Sequence, residues 1–350
     1  MKSLRTLRSV SIVILLCCLS VGPLAAQELK LASLGDFHLE NGQSIQDLKV
    51  GYHTLGKLNP QRSNAVLFPT WFTGTTEQLV GFVGPGKMVD SSKYFVILVD
   101  ALGDGVSSSP SNSQTQPRMQ FPQFNIRDMV KSQHDLVTRV LDIQHLHAVI
   151  GISMGGMQTF QWMVSYPDFM DEAIPIVGSP RLTSYDLLLW TAELHAIEYA
   201  KDWDDGHYTS PPVEAMDTVA DIHTLNLTTP TYRIDHTRPA GFPAFLADAE
   251  KSTLRSFDAN NWVRQLQAMM DDDVAAPFGG SMEQAASVVR AKVLVIPSAE
   301  DHMVNPHPAL RFAKLIHAQV FTLTSDCGHL AVGCEQEQVN EAVSAFLERL

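Results

Sequence analysis

His147-Ala148-Val149-Ile150-Gly151-Ile152-Ser153-Met154-Gly155-Gly156-Met157-Gln158 is the stretch that decides the fold. Its first half is a short apolar run, as expected of a strand buried on both faces. Its second half opens a helical pattern over residues 154–165 that stops before Pro167. Between them stands Gly-x-Ser-x-Gly, Gly151 to Gly155. A serine at a sharp strand-to-helix turn needs small neighbours, because its backbone is strained and its flanks are crowded. The motif alone is weak. Its place between a strand and a helix makes Ser153 a candidate nucleophile, against the reading of a glycine-rich turn with an inert serine.

Outward from that turn, short β-rich runs alternate with helical patterns. Strands are expected at 45–52, 65–69, 94–99, 147–152, 173–177, 292–296 and 319–323, and helices at 126–141, 154–165, 306–316 and 335–347. This alternation implies βαβ units and a mostly parallel sheet with helices on both faces, an α/β fold. Residues 184–289 break it, with helical patterns at 185–199, 213–225, 244–255 and 260–270. A helical insertion between two parallel strands sits over their C-terminal ends, where ligands bind. The domains expected are therefore a core of residues 27–183 and 290–350 and a lid of residues 184–289.

A serine hydroxyl needs a base within reach, and the base needs an orienting carboxylate. In α/β-hydrolases the order along the chain is Ser, acid, His. Asp301 follows the strand expected at 292–296, with Glu300 the alternative acid. His329 follows the last expected strand, and His302, His307 and His317 compete with it on residue type alone. An acyl transfer also needs donors for the developing oxyanion. The Met154 N–H is one, directly after the nucleophile. The loop after residues 65–69 should give the other, and Phe72 is the choice.

No H-E-x-x-H, C-x-x-C or phosphate-binding loop is present, so neither metal nor cofactor is expected. Asp271-Asp272-Asp273 reads as a solvated helix end, with a cation site the alternative. Trp190, Trp203 and Trp262 read as packing of the insertion, with pocket lining the alternative.

The 350 residues carry 25 Lys and Arg against 38 Asp and Glu. Three of the basic residues, Lys2, Arg5 and Arg8, lie in the first eight positions, and no acidic residue precedes Glu28. The rest of the chain is thus strongly acidic, which argues against nucleic acid or an anionic membrane as partner. The basic start, an apolar run from Val10 to Leu19 and the small residues ending at Ala26 have the layout of a secretory signal peptide, residues 1–26. The run is short for a bilayer span, so no stable membrane insertion is expected after cleavage and the mature chain should be periplasmic or secreted. Cleavage would leave two of the four cysteines, Cys327 and Cys334, which bracket His329. Their spacing leaves open a disulfide or two small buried residues.

At this point the residues resemble a known family, the homoserine O-acetyltransferases of the α/β-hydrolase superfamily. The similar blocks include Asn64-Ala65-Val66-Leu67, Gly84-Pro85-Gly86-Lys87, Phe124-Asn125-Ile126-Arg127-Asp128-Met129-Val130, residues 148–158 and Phe257-Asp258-Ala259-Asn260. The resemblance implies a Ser153, Asp301, His329 triad, oxyanion donors at Phe72 and Met154, and a homodimer through the lid. It also implies ping-pong transfer of an acetyl group from acetyl-CoA to homoserine.

The sequence departs from that pattern where the acceptor is bound. The family has an Asp directly after the catalytic His, and here Leu330 stands there. The family also has an Arg seven positions before a lid Tyr. If that Tyr is Tyr232, the Arg position is Leu225. A Leu pairs with neither a carboxylate nor an ammonium group. An exported enzyme also meets water rather than acetyl-CoA. The expected activity is therefore hydrolysis of a small carboxylic ester. The alternatives are acyl transfer from acyl-CoA to homoserine or another hydroxyl acceptor, and a binding protein without catalysis.

Overall fold

A computed structural model describes residues 28–348, and of residues 254–256 only the backbone. The proposed signal peptide lies outside the described residues. Eight strands form one sheet, β1 (Lys30–His38), β2 (Ser44–Leu55), β3 (Ala65–Pro69), β4 (Phe95–Val99), β5 (Leu146–Ile152), β6 (Met170–Ile176), β7 (Lys292–Val295) and β8 (Gln319–Val320). Their spatial order is β1-β2-β4-β3-β5-β6-β7-β8. The β1–β2 and β2–β4 pairs are antiparallel, and every pair from β4 through β3 to β8 is parallel.

Around the sheet run α1 (Thr76–Leu79), α2 (Ile126–Asp135), α3 (Met154–Ser165), α4 (Ser184–Glu198), α5 (Val213–Leu227), α6 (Pro230–His236), α7 (Phe242–Ser256), α8 (Ala259–Met270), α9 (Met282–Val288), α10 (Pro306–Leu315), α11 (Ala331–Cys334) and α12 (Gln336–Leu347). Helices α4 to α9 enter the chain between β6 and β7. Two apolar clusters line the two faces of the sheet. Leu67, Ile97 and Val149 point to one side, and their neighbours Val66, Val96 and Ala148 point to the other. That alternation is the period of a strand covered on both faces.

Several elements differ from the sequence reading. β1 was not expected: its period-2 pattern is broken at Gly35, where φ is +74° and the register with β2 shifts. The helix expected over 126–141 ends as α-helix at Asp135 and continues as a π-turn, Leu136–Val140. The short helices α6 and α9 were too brief for helical periodicity to reveal.

The acidic triplet after α8 is not a solvated end. Asp272 is buried with neither carboxylate oxygen hydrogen-bonded, and burial holds its carboxyl well above the usual range. Asp273 pairs with Arg181 at 2.9 Å. Among the described residues no helix is long and apolar enough to cross a membrane, and no group of ligands is placed to hold a metal.

Candidate active site

Ser153 occupies the turn between β5 and α3 with φ +58° and ψ −120°. A non-glycine residue there is strained, and it persists because its surroundings over-determine it. The flanking glycines show how. A Cβ on Gly151 would lie 1.9 Å from the Gly155 carbonyl oxygen, and one on Gly155 would lie 2.7 Å from the Pro69 carbonyl oxygen. Only glycine lets β5, α3 and β3 approach this closely.

His329 sits on a single 3-10 turn, Gly328–Leu330, beyond β8. Its Nε2 is 2.9 Å from Ser153 Oγ, and its Nδ1 is 2.7 Å from Asp301 Oδ2. A carboxylate only accepts, so Nδ1 carries the proton and Nε2 is bare to accept from the serine. The other Asp301 oxygen accepts from the Met303 and Val304 N–H groups at 2.8 and 2.9 Å, which fixes the carboxylate. Glu300, His307 and His317 are exposed and take no part in this chain of hydrogen bonds.

The His329 loop is held from several sides. Cys327 and Cys334 form a disulfide, with Cα atoms 6.5 Å apart. Ser298 Oγ donates to the Gly328 carbonyl at 2.8 Å. Thr229, at the start of α6, donates to the Asp326 carbonyl at 2.7 Å, so the insertion also braces the loop.

The loop after β3 carries Phe72. The Phe72 N–H meets no acceptor among the described residues. Met154 opens α3, where first-turn N–H groups have no partner within the helix. Both sequence-selected donors thus lie beside Ser153 with unclaimed N–H groups.

A cavity of about 510 Å³ opens over Ser153 and His329, between the sheet and the insertion. Phe72, Tyr232, Leu330 and Trp190 line it, while Trp203 and Trp262 are buried in the insertion's packing. No Lys, Arg, Asp or Glu is among its described lining residues. Leu225, expected in this pocket, is not in it. It is 78% exposed on the outer side of α5 and borders a second hollow with Ile234 and Phe242. The reason is helical geometry: His223 and Leu227, four apart, face the cavity, and a residue midway between them faces away. The missing arginine therefore cannot be read from Leu225.

His223 lines the cavity and was not among the expected site residues. Its Nδ1 is 3.0 Å from Oε1 of Glu193, a fully buried residue whose Oε2 has no partner. The spacing of His223 and Leu227 on α5 was the available signal. Nothing in the sequence linked Glu193 to it.

Comparison with known proteins agrees with this architecture. A model of the alpha/beta hydrolase fold matches residues 74–204. An ethyl acetate hydrolase of Pseudomonas veronii is 32% identical over 92% of this chain and 95% of its own length. The chain belongs to the homoserine O-acetyltransferase-like family of α/β-hydrolases. Within that family, an acetylester hydrolase from Corynebacterium glutamicum superposes with a TM-score of 0.86, at 27% identity over 92% of this chain and 96% of that one. A homoserine O-acetyltransferase from Bacillus anthracis superposes with a TM-score of 0.84, at 26% identity over 92% and 98%. The relatives include ester hydrolases and homoserine acyltransferases, and this chain is an enzyme of that kind, with ester hydrolysis favoured.

Proposed function

We propose that this protein is an exported esterase that hydrolyses small carboxylic esters through an acyl-enzyme on Ser153. The observation that carries the reading is the Ser153–His329–Asp301 hydrogen-bond chain opening into a cavity with no charged side chain in its described lining. Such a cavity accepts a neutral ester. It offers no carboxylate or guanidinium to hold a zwitterionic acceptor, and Leu330 lines it where the resemblance places an Asp. The similarity to an ethyl acetate hydrolase supports the same substrate class.

Ser153 Oγ attacks the ester carbonyl while His329 Nε2 takes its proton. The Phe72 and Met154 N–H groups hold the oxyanion. As the tetrahedral adduct collapses, His329 returns the proton to the leaving alkoxide, and the acyl group stays on Ser153. Water then attacks the acyl-enzyme with His329 again as base. Collapse of the second adduct releases the carboxylic acid and restores Ser153. Asp301 orients the imidazole and steadies the imidazolium formed in each half.

Export rests on the basic, apolar and small-residue order of residues 1–26. A fluorophosphonate probe given to the exported chain, with intact-mass analysis, tests both parts. The expected result is a chain beginning at Gln27, labelled once in the wild type and not in Ser153→Ala. Equal labelling of both would refute the serine mechanism, and retention of residues 1–26 would refute export.

The exposed Leu225, Ile234 and Phe242 on the outer face of the insertion support the expected homodimer through the lid, which we carry as a proposal. Light scattering should give twice the chain mass, with Leu225→Glu/Ile234→Glu shifting it to the single chain. A monomeric wild type at micromolar concentration would remove the proposal.

A further inference from the structure

We propose that Gln265, on helix α8 of the insertion, is the positioning residue that sets the oxyanion loop. The inference rests on the esterase reading, since it takes the Phe72 N–H as an oxyanion donor.

The loop needs an external hold. Thr73, directly after Phe72, has φ +63°. A β-branched side chain is disfavoured there, so an untethered loop would relax away. Thr73 N–H donates to Gln265 Oε1 at 3.0 Å, across 192 residues of sequence. The same side-chain amide donates from Nε2 to the Leu102 carbonyl at 3.0 Å, in the segment after β4. Gln265 is fully buried. Its amide can satisfy both partners in one orientation only: oxygen to Thr73, nitrogen to Leu102.

One turn earlier on the same helix face is Trp262, whose ring meets Phe72 edge-on at 4.7 Å. Helix α8 therefore grips two consecutive residues of the loop, the Phe72 ring and the Thr73 N–H. The Phe72 N–H between them is left without a partner. The helix is itself anchored. Asn261 accepts from the Ser111 N–H at 3.0 Å, and Arg264 donates to the Phe121 and Met119 carbonyls at 2.9 Å. The insertion thus does more than cover the cavity: it completes the catalytic machinery of the core. No motif in the core sequence supplies this hold.

The substitution Gln265→Met keeps the volume and removes both hydrogen bonds. Expected is a fall in kcat on a p-nitrophenyl acetate substrate of about tenfold to a hundredfold, because a small misplacement of an oxyanion donor is costly. KM should stay within about threefold, since the donor acts in the transition state. Affinity for a boronic acid that mimics the tetrahedral adduct should fall in parallel with kcat. Gln265→Glu keeps an acceptor for the Thr73 N–H but turns an oxygen toward the Leu102 carbonyl, so it should recover only part of the rate.

Amide hydrogen exchange on the wild type gives an independent reading that needs no variant. Thr73 should be protected in the free enzyme, and Phe72 only once the boronic acid is bound. Wild-type kcat in Gln265→Met, or an unprotected Thr73 in the folded wild type, would overturn the proposal. A wild type that hydrolyses no ester and is unlabelled at Ser153 would instead overturn the esterase reading.

Discussion

Asp104 is the residue whose environment makes the sharpest pH prediction. It is buried beside Asp100, which accepts from the Thr76 N–H and hydroxyl at 2.7 Å each. Burial, then the neighbouring Asp100 charge, holds the Asp104 carboxyl well above the usual carboxylate range. Its Oδ1 accepts from the Val106 and Ser107 N–H groups, while Oδ2 has no partner as a carboxylate oxygen. The folded state therefore holds this proton at pH values where the unfolded chain has released it. Stability must fall as pH rises from about 4 through the raised folded value. Asp104→Asn keeps the accepting oxygen and removes the charge, so its stability should decline less steeply over that range. Urea midpoints against pH for both proteins measure this, and parallel curves would contradict it. Nothing in the sequence marks Asp104 out from the other acidic residues. Ser153, by contrast, was legible because its strained turn requires glycines at fixed offsets.

At the scale of elements, the loop bearing His329 is the most heavily braced part of the site. The Cys327–Cys334 bridge closes a short loop that also carries Leu330. Replacing both cysteines by serine should cost about 2 kcal/mol, as expected for closing a loop shorter than 15 residues. It should also lower kcat, because the imidazole depends on that loop for its 2.9 Å approach to Ser153. Thermal unfolding and turnover, each with and without reductant, test this. A reduced protein with unchanged kcat would show that the remaining contacts suffice. Most helices and parallel strands were readable from the sequence, because buried runs and 3.6-residue periods reflect local packing. β1 was not, since Gly35 interrupts its alternation. The disulfide was left open, since spacing in sequence does not give distance in space. The inward face of α5 was misjudged at Leu225, because a position counted from Tyr232 ignores the break between α5 and α6.

On the scale of the whole molecule, core and insertion share the site. The core contributes Ser153, Asp301 and His329. The insertion contributes His223 and Tyr232 to the cavity wall, and Gln265 and Trp262 against the loop of Phe72 and Thr73. The order Ser, acid, His could be read along the chain because each member follows its own strand. The insertion's part could not, because its contacts join residues as far apart as Thr73 and Gln265. The central claim is that acyl groups pass through Ser153 to water. Acid quenching of the mature enzyme with an acetyl ester, in the presence of homoserine, followed by mass analysis of protein and products, tests it most directly. The account predicts one acetyl group on Ser153 and acetate as the released product. An unmodified Ser153 during turnover, or O-acetylhomoserine as the main product, would contradict it.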